Sequence, residues 1–251
     1  MDSNNSNHIE KIRQFYTDTH GQESRWEDNS YLYSWRNPVG LYMRWRIQHS
    51  IIKMLNKNSI ILSDKKILDI GCGYGEWLHF FSVIRGDSQN LVGIDITEER
   101  IKRARMINPG INFICSDATY LPFADQSFDI VMQFDCFEHF VDEEALNKAS
   151  SEVIRILKRN GMLIWFDLLP FCNKLNPMNR GYTLKEVIAL FNRFELIDYE
   201  TIFKRFDLGS RVISTAYNLP GKKLEFTLIY LIERLPFEKC NNLLALLGKN
   251  D

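Results

Sequence analysis

The residues that most constrain this chain are ILDIGCGYGEW, positions 67–77. A short apolar run ends in an acid, and Gly71, Gly73 and Gly75 then stand at alternate positions before a segment of helical periodicity. A strand that breaks on such a turn brings bare backbone against a ligand at the N-terminus of the following helix. The P-loop is excluded, because no Gly-Lys-Ser/Thr follows Gly75. The dinucleotide fingerprint G-x-G-x-x-G requires glycine at 76, where the chain has Glu76. A carboxylate in the first helical turn competes for the positive dipole end that a pyrophosphate would use. A ligand without phosphates and with a cationic centre has no such conflict. S-adenosylmethionine (SAM), with its sulfonium and ammonium groups, meets both conditions.

Strand and helix signals alternate from Lys65 onward. Apolar runs at 65–70, 90–95, 112–117, 128–135 and 162–170 read as strands. GEWLHFFSVI (75–84), TEERIKRARMI (97–107) and EEALNKASSEVIRILK (143–158) read as helices, with Asn160-Gly161 stopping the last of them. This pattern specifies βαβ units and a parallel sheet covered on both faces, with ligands at the carboxyl ends of the strands. Thr183 and Glu186 make a capping box that opens a helix over 184–191. Strands are expected at 194–203 and 241–248, with a helix at about 222–235 between them.

Three acids stand at three successive strand ends. Asp69 closes the first, Asp95 closes the second, where a carboxylate can accept from both ribose hydroxyls, and Asp117 with Ala118 closes the third, where a short acid can accept from an adenine amino group. A single strand-end aspartate is an ordinary turn residue. Three of them, together with the glycine turn, define one crevice.

KKILDIGCGYGEWL, LVGIDITEERI, ICSDATYLPF and FDIVMQFDCFEHF resemble successive motifs of the class I SAM-dependent methyltransferases, and most of all the small-molecule (type 11, ubiquinone/menaquinone-biosynthesis-like) branch. The resemblance covers about residues 64–168. It implies an α/β fold: a Rossmann-like, doubly wound, seven-stranded sheet, mostly parallel, with an antiparallel last strand. It also implies SAM as cofactor. Carried over position by position, Asp69, Gly71, Gly73 and Gly75 contact the methionine portion, Asp95 the ribose, and Asp117 with Ala118 the adenine. Ile96 packs on the adenine face and Gln133 lies near the methionine end. His139 occupies the place of a histidine that lies near the acceptor in some members, and is the candidate general base, its alternative being a structural hydrogen bond at a helix start.

The organisation that follows is a polar tail (1–8), an N-terminal helical and aromatic cover (9–63) containing a helix over 40–55, and a SAM-binding methyltransferase domain (64–251). Within the last, the Asn/Pro/Gly-rich segment 171–182 is a substrate-side loop carrying Arg180. The expected acceptor is a small molecule, methylated at oxygen, such as a sugar or glycan precursor. The alternatives are C- or N-methylation of a quinone-like or amine acceptor, and a non-catalytic partner subunit of the same fold. The cover and the 171–182 loop also resemble those of methyltransferases of surface-glycan biosynthesis.

A net charge of −1, from 31 basic and 32 acidic residues, offers no basic footprint for nucleic acid. The fourth strand also ends in Gln133-Phe134-Asp135-Cys136 instead of the Asn/Asp-Pro-Pro-aromatic motif of base methyltransferases. Asp135 and Asp167 stand where metal-dependent catechol-type enzymes keep acids, but the accompanying Asn is missing, so no metal is expected. The five cysteines are scattered, as in a protein of a reducing, cytoplasmic compartment. LEFTLIYLIERL (224–235) is too short to span a bilayer, which takes about 20 apolar residues. It leaves open a peripheral contact with a lipid-linked acceptor. Oligomeric state is not specified by the sequence.

Overall fold

The computed structural model describes residues 10, 13–14, 38–170, 179–204 and 240–250. Most of residues 9–37 of the 9–63 cover, residues 171–178 of the substrate-side loop and the expected helix at 222–235 lie outside the described residues.

Seven strands form one sheet in the order β3-β2-β1-β4-β5-β7-β6. They are β1 (Ile67–Ile70), β2 (Leu91–Asp95), β3 (Asn112–Cys115), β4 (Phe128–Phe134), β5 (Leu157–Leu168), β6 (Phe194–Lys204) and β7 (Cys240–Lys249). The first five run parallel, and β7 is antiparallel to both β5 and β6. The helices are α1 (Pro38–Lys57), α2 (Glu76–Arg85), α3 (Glu98–Ile107), α4 (Glu143–Ile156) and α5 (Leu184–Leu190), with a 3₁₀ turn at Phe137–His139.

All four residues of β1 are buried, as a central strand covered on both faces requires. Alternation sends Leu68 and Ile70 into one layer with Ala145, Leu146, Ala149, Val153 and Ile156 of α4. Ile67 enters the opposite layer with Ile51 and Leu55 of α1, Leu78 and Phe81 of α2 and Ile101 of α3. The described part of the N-terminal cover is therefore a helix laid on the sheet. It is tied to β6 by Arg46 to Glu200 at 3.1 Å and Lys57 to Asp198 at 2.8 Å.

The expected capping box of α5 is present: Thr183 Oγ1 accepts from Glu186 N at 3.2 Å, and Glu186 Oε2 accepts from Thr183 N at 2.7 Å. The end of α4 differs from expectation. The helix stops at Ile156, four residues before Asn160, and β5 begins at once with Leu157 paired to Phe128. Asn160 takes a left-handed φ of 58° inside β5, and the register with β4 shifts between Phe128 and Ile130. The Asn-Gly pair is a kink in a strand, a use that this dipeptide serves as readily as a helix stop.

Candidate active site

The glycine turn follows directly from the strand geometry. Gly71 has φ 74°, and a Cβ built there would lie 2.6 Å from Cys136 Sγ, so the β1 and β4 turns touch with only hydrogen between them. At Gly75, φ is 82° and a Cβ would lie 2.6 Å from the Phe113 ring of β3. A side chain at either position would be strained in its backbone and would push a neighbour aside.

The turn is locked to the end of β2. Asp95 Oδ2 accepts the N–H of Gly73 at 3.0 Å, and its Oδ1 accepts that of Thr97 at 2.8 Å. Arg100 of α3 approaches Asp95 Oδ2 to 3.7 Å and lies over the Tyr74 ring. Asp117 Oδ1 accepts from Thr119 N at 2.8 Å, which leaves its other oxygen for a ligand.

These elements enclose a crevice of about 620 Å³ including its mouth, within the range of small-molecule sites. Of the residues expected at the site, Gly71, Asp95, Ile96, Asp117, Ala118 and His139 line it together. Asp69, Gly73, Gly75 and Gln133 are not on its wall. Gly73 and Gly75 shape the turn. Gln133 is fully buried, and its carboxamide is used by the protein: Oε1 accepts from Cys136 N and Phe137 N at 3.2 Å each, and Nε2 donates to Phe166 O at 3.3 Å.

Asp69 is 1% exposed and, among the described residues, neither of its oxygens has a hydrogen-bond partner. Burial, and to a lesser degree Asp95, hold its carboxyl well above the ordinary carboxylate range. An orphaned buried acid beside a glycine turn is an unmet demand for a donor or a cation, and the ammonium of SAM is such a group.

Asp135 and Asp167, the two acids noted in the sequence after β4 and on β5, form a carboxylate group with Glu138, which the sequence reading did not single out. Asp135, Glu138 and Asp167 bring one oxygen each to within 4.8 Å of one another. Asp167 is held by backbone donors, Glu138 N at 3.0 Å and Leu168 N at 2.9 Å. Glu138 Oε1 accepts from Asn179 Nδ2 at 2.6 Å and lies 3.6 Å from His139 Nε2. Burial, then the charge of Asp135, push the Asp167 carboxyl well up, and burial pushes that of Asp135 up to about 7. The spacing would admit a cation, and both Asp167 oxygens already accept backbone N–H groups. The available signal was Asp167 at the end of β5, the strand beside β4.

Above this group, residues 179–182 are strapped to the 3₁₀ turn. Arg180 N donates to Glu138 O at 2.6 Å, Tyr182 Oη donates to Phe137 O at 2.9 Å, and Tyr182 N donates to Leu168 O at 2.8 Å. The Arg180 guanidinium pairs with Glu143 and lies over the Tyr182 ring, so it is engaged by the protein and is not directed at an acceptor.

Residues 67–161 match the family model described as a methyltransferase domain, Methyltransf_25. By that match the chain carries a methyltransferase domain. The chain is 32% identical over 114 residues to phthiotriol/phenolphthiotriol dimycocerosates methyltransferase 1 of Mycobacterium ulcerans, covering 43% of this chain and 40% of that protein. It is 30% identical over 173 residues to the protein MJ0638 of Methanocaldococcus jannaschii, covering 68% of this chain and 66% of that one. The match thus spans well under half the length of the mycobacterial relative. Among solved structures, a putative sarcosine dimethylglycine methyltransferase from Galdieria sulphuraria superposes with a TM-score of 0.62 at 18% identity, over 95% of this chain and 98% of that one. At that identity the likeness establishes the shared fold. The expected cofactor is SAM. Among the described residues no helix is long and apolar enough to cross a membrane.

Proposed function

We propose that this methyltransferase moves the methyl group of SAM to a hydroxyl of a small-molecule acceptor. The observation that carries the reading is the division of one crevice into two ends. Asp95, Ile96, Asp117 and Ala118 form the end suited to an adenosine. Gly71, Asp135, Cys136 and His139 form the other, beside a strapped loop segment.

When bound, SAM supplies an electrophilic methyl on a positively charged sulfur. The chain's own residues hold and orient the reactants. Asp95 and Asp117 present carboxylate oxygens to ribose hydroxyls and to the adenine amino group. Ile96 packs on the base, and the glycine turn, with Asp69 buried behind it, leaves room for the methionine chain. The alignment of an acceptor oxygen with the methyl, and exclusion of water beneath the 179–182 strap, supply most of the rate effect. His139 is placed on the acceptor side by the 3₁₀ turn. The names of the mycobacterial relatives specify triol substrates, which supports oxygen as the accepting atom. Methylation of an amine is a second reading, favoured by the carboxylates at the acceptor end.

The test is twofold. Calorimetry with SAM and with NAD separates the cofactor classes: binding of NAD and not SAM would sink the reading. A screen with labelled SAM against phenols, hexoses, alkyl triols and amines then names the acceptor atom, and label appearing only on amines would overturn the oxygen assignment.

A further inference from the structure

Resting on the methyl-transfer reading above, we propose that Asp135, and not His139, is the general base that takes the proton from the acceptor hydroxyl. Asp135 lines the crevice beside Gly71, Cys136 and His139. It does so from an unusual backbone: its φ is 51°, in the left-handed region that aspartate enters more readily than most residues but still at a cost. Such conformations persist where their surroundings enforce them, and they cluster at functional sites. Here they are enforced. Asp135 N donates to Phe166 O at 3.0 Å, and Gln133 Oε1 accepts from the next two backbone amides. The buried carboxamide of Gln133 thus serves to hold the turn that presents Asp135.

The carboxylates around Asp135 have different tasks. Asp167 spends both oxygens on backbone N–H groups. Glu138 holds Asn179 and faces His139. No donor among the described residues engages the carboxylate of Asp135, which leaves it able to accept a proton from a ligand. The titratable groups packed around this site are Asp167 of β5, Glu138 and His139 of the 3₁₀ turn, Cys136, and the acids Asp69 and Asp95 at the ends of β1 and β2, with Arg100 on the far wall. Burial raises the carboxyls of both Asp135 and Asp167, that of Asp135 to about 7. For Asp167 the charge of Asp135 adds to the upward push of burial.

The step balances without a further reactant. The methyl–sulfur bond breaks with its electron pair left on sulfur, giving a neutral thioether, and an oxygen lone pair forms the new C–O bond. The hydroxyl proton passes to Asp135, which releases it to water when the product leaves. His139, 3.6 Å from the glutamate that holds the strap, is a positioning residue.

The experiment uses the full chain with ¹³C-labelled aspartate carboxyls. Carboxyl resonances are titrated by NMR in the wild type and in Asp135→Asn, without ligand, with SAM and with S-adenosylhomocysteine. Asparagine also enters the left-handed region, so the variant keeps the turn. Expected is one resonance with a midpoint near 7, absent from the variant, whose midpoint falls by about one unit with SAM, as for an acid beside a new positive charge, and not with the uncharged thioether. On whichever phenol, hexose or alkyl triol the wild type methylates, Asp135→Asn lowers turnover about 100-fold or more, while SAM affinity stays within about threefold. His139→Gln keeps the rise of turnover through pH 7, and Asp135→Asn loses it. The proposal is overturned if the Asp135 resonance titrates in the ordinary carboxylate range, or if SAM leaves its midpoint unmoved. It is overturned equally if His139→Gln is the variant that loses the pH limb, or if a chelator abolishes wild-type turnover and Mg²⁺ restores it. Absence of SAM binding by the wild type is a separate result and sinks the methyl-transfer reading instead.

Discussion

Asp95 accepts the backbone N–H of Gly73 at 3.0 Å, so the acid that ends β2 also fixes the glycine turn after β1. One carboxylate therefore has two duties: to hold the turn and to meet a ligand. Asp95→Ala removes both and leaves the Gly73 and Thr97 amides without their acceptor. SAM affinity should fall about 100-fold or more, with a loss of stability of about 1–3 kcal/mol from the unpaired amides. Asp95→Asn retains an acceptor oxygen for only one of the two amides, so its effects should lie between those of alanine and wild type. Calorimetry with SAM and thermal melts of the two variants measure both effects.

Gly71→Ala tests the contact between the β1 and β4 turns. The new methyl would meet Cys136 Sγ at 2.6 Å from a backbone with φ 74°. Overpacking of this kind costs about 1–3 kcal/mol, and a domain of this size loses about 2–4 °C in Tm per kcal/mol. Cys136→Ala in the same chain removes the Sγ clash but leaves the contact with the Cβ of residue 136 at 2.7 Å and the backbone strain. The double variant should recover part of the lost Tm, and no recovery would show that the Sγ contact is not the source of the loss.

Much of this arrangement was legible in the sequence because it is local. Each strand end was marked by an acid or by the glycine turn, and the capping box of α5 is a four-residue pattern that a tertiary fold rarely overrides. Asp95, Ile96, Asp117, Ala118 and His139 could be placed on one crevice because parallel-sheet topology brings strand ends together. Two features were hidden. Asn160-Gly161 reads as a helix stop, yet it bends β5, because the packing of Leu157 against Phe128 starts the strand before the dipeptide is reached. The approach of Asp167 to Asp135 and Glu138 depends on the register between β4 and β5, where Phe134 pairs with Phe166, and a one-residue slip would have removed it. Gln133 was expected near the cofactor, and its position on β4 is as expected, but only side-chain geometry reveals that its amide is spent on the turn.

The stability of the protein should carry the mark of Asp135. Its folded-state carboxyl is raised by burial to about 7, so between the ordinary carboxylate range and pH 7 the folded state binds more protons than the unfolded one. Stability contributed by the protonated form is present at low pH and declines as pH rises to about 7. Asp135→Asn is uncharged at every pH and escapes that decline. The gain of the variant over wild type should be small at pH 4, grow through pH 5 and 6, and reach several degrees at pH 8. Equal gains at pH 4 and pH 8 would mean that ionisation of Asp135 is not the cause.

The strap over the acceptor end gives the last test. Asn179 and Arg180 are tied to Glu138 through Asn179 Nδ2 and Arg180 N, each at 2.6 Å. Asn179→Ala cuts the side-chain tie and leaves the backbone one. It removes the hydrogen-bond donor to Glu138 Oε1 and touches nothing at the adenosine end, so SAM affinity should remain within about twofold. Weakening the strap by one hydrogen bond to a charged group, worth about 1.5–3 kcal/mol, should raise the acceptor KM about tenfold and speed amide exchange at residues 179–182. Exchange that quickens with no change in acceptor KM would show that the strap closes over empty wall and that the acceptor enters from elsewhere.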